Sequence, residues 1–113
     1  MNLEYAVDRL YEVGWLPAEG AGLELERLDD GRSYPSRIAV QNEFGRAGLK
    51  LTYKPNLMFN CYQAVWCPVD EDFDPTQTPD ERHGTVVGSC EREAAVYALA
   101  QMLASQVQML ATA

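Results

Sequence analysis

What this chain lacks narrows its reading first. No apolar run approaches the roughly 20 residues that a membrane span needs, which excludes a spanning helix from expectation. Nor is there a phosphate-binding glycine loop, a nucleophile elbow or a dinucleotide fingerprint, so the commonest nucleotide and hydrolase chemistries lose their sequence support. Cysteine is scarce and odd in number: Cys61, Cys67 and Cys90 form no disulfide framework, which implies free thiols and a reducing compartment. Positive charge is also short. Nine basic against seventeen acidic residues give a formal net charge of -8, and a molecule of that sign repels nucleic acid and anionic membranes as a whole. The start, Met1-Asn2-Leu3-Glu4-Tyr5, has neither the basic residues nor the apolar run of a secretory signal, so a cytoplasmic location is expected.

What remains is ordinary globular material. At 113 residues, 47% of them hydrophobic and 23% charged, residues 1–113 are expected to form one domain with one core. Leu3, Val7, Leu10 and Tyr11, with Glu4, Asp8, Arg9 and Glu12 between them, have the spacing of an amphipathic helix that Gly14 can end and Pro17 cannot extend. Ala18 to Gly22 reads as a flexible joint. Leu23 to Leu28 alternates like a half-buried strand, with helix the competing reading because Leu and Glu are good helix formers; Asp30-Gly31 favours the strand, since it suits a hairpin turn returning into Ser36 to Gln41, with Ile38 and Val40 on one face. Glu43 to Gly48 reads as a turn. Leu49 to Lys54 alternates with both lysines outward, Pro55-Asn56 turns the chain, and Leu57 to Cys67 is expected to be the most buried strand. The segment 69–83 is acidic, interrupted by Pro75 and Pro79, and reads as an exposed loop.

The last element is the clearest. Ser89 is a natural N-cap, Glu91 and Glu93 fall where the helix dipole favours acids, and Val96, Leu99, Leu103, Val107 and Leu110 form an apolar stripe. From Ala94 onward no charged residue occurs. Solvated helix faces normally carry charge, so Ala94, Ala98, Gln101, Ser105 and Gln108 are candidate interface residues, and a homodimer through them is expected. The fold class is therefore α+β: an antiparallel sheet of three to four strands, with N-terminal and C-terminal helices packed on one face.

That order, with Gly88-Ser89-Cys90-Glu91-Arg92-Glu93-Ala94-Ala95 and then Ala98-Leu99 opening an alanine-rich helix, resembles the double-stranded RNA-binding domain. The resemblance implies an α-β-β-β-α fold. In that family the final helix begins with a lysine pair, an alanine and another lysine, whose cations contact phosphates. Here the lysine-pair positions hold Glu91 and Arg92, the alanine matches Ala94, and Ala95 replaces the last lysine, so only Arg92 is cationic. Glu91 and Glu93 would repel phosphate where the family binds it, and non-specific affinity for nucleic acid is almost wholly electrostatic.

Other motifs carry less. Asp70, Asp72, Asp74 and Glu81 have the oxygen-ligand spacing of a twelve-residue calcium loop, but Pro75 occupies the position that needs a glycine, which leaves only an irregular cation site and excludes an EF-hand. Cys61, Cys67, His83 and Cys90 have donor atoms for zinc without the tight knuckle spacing. Cys90 at a helix start with His83 could form a nucleophile pair, though no orienting acid or oxyanion hole is evident. No cofactor is expected and no catalysis. The reading is a small acidic interaction module that binds an unidentified protein partner. Its alternative is a nucleic-acid binder using the local cationic cluster Arg32, Arg37, Arg46, Lys50 and Lys54, which contains a single acid, Glu43, together with Arg92.

Overall fold

The computed structural model describes residues 3–15, 25–72, 76, 78, 80 and 82–112, with side chains described as far as 105. Helix α1 spans Leu3–Glu12 and buries Ala6, Val7 and Leu10. It ends where the sequence places its stop: Gly14 takes φ 96°, and Trp15 N–H donates to the Leu10 carbonyl at 3.3 Å. The expected joint over Ala18 to Gly22 lies outside the described residues.

Strands β1 (Leu25–Arg27) and β2 (Ser33–Pro35) form a short antiparallel hairpin in which Glu26 faces Tyr34. Asp30-Gly31 makes its turn, with Gly31 at φ 92° and Leu28 N–H donating to the Arg32 carbonyl at 2.8 Å. The returning strand is shorter than the sequence suggests, because the segment expected as strand over Ser36 to Gln41 is helical. Helix α2 runs Arg37–Arg46, and the turn expected from Glu43 begins only at Ala47. Ser36 decides this: its hydroxyl accepts from Ala39 N–H at 3.2 Å and caps the first turn. As a strand, Ile38 and Val40 would share a face. As a helix they separate, so Val40 enters the core with Ala39 and Phe44 while Ile38 stays in solvent.

Strands β3 (Leu49–Asn56), β4 (Cys61–Pro68) and β5 (Gly84–Gly88) form the second antiparallel sheet in that order. Leu49 and Leu51 point to the buried face, where Trp66 stands opposite Leu51, while Lys50 and Lys54 take the other face as their alternation requires. Pro55 is tolerated because β3 is an edge strand. The burial expected from Leu57 onward begins later: 57–60 is a turn, and the buried part of β4 is Ala64 to Pro68.

Helix α3 (Glu91–Thr112) lies against α1, α2, β4 and β5. Ala94, Ala95, Val96, Ala98, Leu99, Ala100 and Met102 are all buried, so its central turns are enclosed on several sides by this same chain. That is the physical reason for the lack of charge from Ala94 to Met102. The core joins them to Leu10, Phe44, Leu51 and Trp66, and the rings of Phe44 and Trp66 meet at 5.5 Å. Taken from α2 to α3, the chain has the order helix, three antiparallel strands, helix; α1 and the β1–β2 hairpin precede that unit.

Candidate functional site

Two features of the β3–β4 side of the molecule stand out. The first is the tip of the hairpin. Leu57, Met58 and Phe59 are 92%, 84% and 73% exposed, three large apolar side chains in succession held out in water. The turn that carries them is built for the purpose of its shape: the Asn56 side-chain oxygen accepts from Met58 N–H at 3.1 Å and Phe59 N–H at 3.3 Å, and Asn60 closes the turn at φ 49°. Asparagine suits both positions, since its short amide bonds the local backbone and tolerates the left-handed region. Below the tip, β3 and β4 are paired residue by residue from Asn56↔Cys61 to Leu49↔Pro68, so the knob stands on a hydrogen-bonded ribbon.

The second feature is an open cleft of about 510 Å³ where the starts of α2 and α3 meet. Ser36, Ile38, Tyr62 and Cys90 line it, with two ion pairs, Arg37–Glu91 at 2.7 Å and Arg92–Glu26 at 2.8 Å, along its rim. Arg37 also covers the Tyr53 ring, 6.0 Å from its centroid, and burial pushes the Tyr53 phenol above its ordinary range. The N-cap of α3 is Cys90 rather than the expected Ser89: Ala94 N–H donates to the Cys90 carbonyl at 3.0 Å and Glu93 N–H to its sulfur at 3.4 Å. Ser89 instead engages Glu93, giving both its N–H, at 2.8 Å, and its hydroxyl to that carboxylate. Glu93 is fully buried, so it cannot stand out toward a ligand as the sequence suggested.

The six cations of the nucleic-acid reading are spread over the first hairpin's turn, α2, β3 and α3. Arg32 pairs with Asp8 and Asp30, which holds the Asp30 carboxyl below its usual range. Arg46 pairs with Glu43 at 3.0 Å, and Arg37 and Arg92 are bridged as above. Every arginine of the set is therefore neutralised by a carboxylate. Lys50 is half-buried and Lys54 exposed on the outer face of β3.

Of the interface residues inferred from the sequence, Ala94 and Ala98 are fully buried in the chain's own core. Gln101 is exposed, Ser105 is half-buried and donates its hydroxyl to the Gln101 carbonyl, and the Gln108 side chain lies outside the described residues. Asp70 and Asp72 are exposed, whereas Asp74 and Glu81 lie outside the described residues. Among the described residues, no group of three or more His, Cys, Asp or Glu could hold a metal. The ring nitrogens of His83 meet carboxylates, Asp80 at 2.9 Å and Glu71 at 3.1 Å, and those carboxylates raise its pKa.

No family model, curated protein or solved structure matches the chain. The hairpin tip was not anticipated from the sequence, although a signal was present: three large apolar residues enclosed by Asn56 and Asn60, both turn formers, within the stretch read as a buried strand.

Proposed function

We propose that this chain is a non-catalytic interaction module that docks on protein through the apolar knob at the tip of the β3–β4 hairpin, on a scaffold similar to the double-stranded RNA-binding domain. The observation that carries the reading is the succession Leu57-Met58-Phe59, exposed on a turn ordered by Asn56. Covering each such side chain is worth roughly 1.5–3 kcal/mol, a gain that the isolated chain forgoes. Contacts of this kind, large side chains projecting from a preorganised turn, are how a small protein surface supplies concentrated binding energy.

The charge pattern supports protein over RNA. A duplex-binding surface works by releasing counterions from phosphates, which requires cations that carboxylates do not already occupy. Here four arginines of the candidate set are paired, and the molecule carries a formal net charge of -8. A gel-shift titration with duplex RNA at low salt tests the reading. No retardation is expected up to the ~10⁻⁴ M range in which ordinary basic proteins bind non-specifically. Binding that weakens with added salt would overturn it.

A further inference from the structure

We propose that the partner of the knob is an amphipathic helix with an acidic polar face: its apolar stripe covers Leu57, Met58 and Phe59, and the carboxylates bordering that stripe meet Lys54. The inference rests on the protein-interaction reading above and names the chemistry of the partner.

Charge selects the sign. Both charged residues of the β3–β4 hairpin, residues 49–68, are lysines, Lys50 and Lys54, whereas the rest of the chain holds all seventeen acids and seven of the nine bases. Asp70, Glu71 and Asp72 follow Pro68, at the end of the ribbon opposite the tip. Seven paired steps of about 3.3 Å separate that end from Asn56, a distance of ~23 Å. Exposed charges act over only ~8 Å at physiological salt, so those acids are screened from the tip. Glu43, which precedes the hairpin, is bridged to Arg46, and Glu91, which follows Gly88 opposite Tyr62, is bridged to Arg37. A partner that reaches the tip therefore meets lysine rather than the net charge of the molecule.

Dimensions select the helix. Leu57 and Phe59 are two peptide steps apart, so their Cα atoms lie no more than ~7.6 Å from each other. A ridge that narrow fits beneath the apolar stripe of an amphipathic helix, at least ~100° of a cylinder ~10–12 Å across, which is an arc of about 9 Å. Lys54 stands three residues back from Leu57 on β3, ~10 Å along the strand. That is about one helix diameter, so glutamates at the border of the stripe reach its ammonium group when the stripe sits on the knob. The outer sheet face continues the platform without a carboxylate. Lys54, Gln63 and Val87 stand opposite one another across the three strands, and Val87 is 45% exposed. Asn56 orders the turn before any partner arrives, which spares the complex that entropy.

Fluorescence anisotropy with two synthetic peptides reads this chemistry. Each has about 18 residues, ~27 Å as a helix, and a leucine stripe at helical spacing; one borders it with glutamates and the other with lysines. The glutamate peptide should bind with a Kd below about 100 µM, and the lysine peptide about fivefold or more weakly, the ratio set by exposed charge pairs. The triple variant Leu57→Ser, Met58→Ser, Phe59→Ser should lose the glutamate peptide and keep the parent's melting temperature, because all three side chains are exposed. Lys54→Glu should reverse the preference in favour of the lysine peptide, a change that loss of fold cannot mimic. Equal affinity for the two peptides, no binding of the glutamate peptide at about 100 µM, binding that survives the triple substitution, or a preference that Lys54→Glu fails to reverse would each overturn the proposal. Knob-dependent sedimentation with phosphatidylcholine vesicles would overturn it as well and put a lipid surface in the place of the helix. Knob-dependent binding of the lysine peptide alone removes the acidic helix and leaves the protein-interaction reading standing; salt-sensitive binding of duplex RNA removes that reading.

Discussion

Gly88 and Gly45 make a matched pair for testing how α3 is seated. A methyl group added at Gly88 would lie 2.6 Å from the Ala94 backbone nitrogen, 3.0 Å from its Cα and 3.2 Å from its Cβ. These neighbours are mostly backbone and cannot rotate aside, so the start of α3 must retreat from β5 by about 0.8 Å, a gap that forfeits a quarter to a half of each dispersion contact it opens. Overpacking of this kind costs ~1–3 kcal/mol, and backbone against backbone belongs at the upper end. Gly88→Ala should therefore destabilise by ~2–3 kcal/mol, lowering the melting temperature by about 10 °C for a domain of this size. Gly45 lies inside α2 with nothing within 4 Å of an added methyl and no positive φ. Gly45→Ala should stabilise by ~0.5–1 kcal/mol, because alanine loses less backbone entropy in a helix. Thermal and urea unfolding followed by circular dichroism measure both. A Gly88→Ala protein as stable as its parent would refute the close approach of α3 to β5, and a destabilised Gly45→Ala would refute the helical assignment of α2.

Ser36→Ala removes the hydroxyl that accepts from Ala39 N–H and should cost ~1 kcal/mol in urea unfolding; no change would mean that α2 does not depend on this cap. The chain's single histidine gives a pH test. Asp80, then Glu71, raise the His83 pKa above the ordinary 6.5, so the protonated pairing contributes fully at pH values below 6.5 and is lost as pH climbs through the higher folded value. An NMR titration of the ring should give a midpoint above 6.5 that falls in Asp80→Asn; a midpoint at or below 6.5 in the parent would contradict the pairing.

How much of this could be read beforehand depended on whether local chemistry and tertiary packing agreed. In α1 they agree: an amphipathic period ends at Gly14, and the helix stops there. In β3 the alternation of Leu49, Lys50 and Leu51 states both register and exposure. Asp30-Gly31 likewise turned where its residues prefer to turn. At α2 the two disagree. Ile38 and Val40 favour extended backbone locally, but Ser36 caps a helix and Val40 with Phe44, four positions apart, needs helical geometry to reach the core together.

The site was harder to read for a related reason. An apolar residue in a sequence implies burial, which places Leu57, Met58 and Phe59 in a buried strand; in the structure they stand exposed on a turn that the Asn56 side chain orders. Glu93 errs the other way, a carboxylate expected to face a phosphate that the chain instead encloses and pairs with Ser89. For Ala94 to Met102 of α3, the missing charge accompanies burial on several sides, but sequence alone cannot say whether the covering atoms belong to the same molecule or another. Here they are α1, α2 and the sheet.

The central position of α3 also dictates when the molecule can fold. Leu10, Phe44, Leu51 and Trp66 come from four separate elements and share a cluster with Val96, Leu99 and Met102, which are synthesised after all of them. A chain emerging from the ribosome can bring Phe44 to Trp66 but cannot complete the cluster until α3 appears, so full burial waits for contacts distant in sequence. Until then the sides of α1, α2 and the sheet that α3 covers stay open to chaperones and proteases, and a stop codon before residue 94 would release a polypeptide whose core cluster is incomplete.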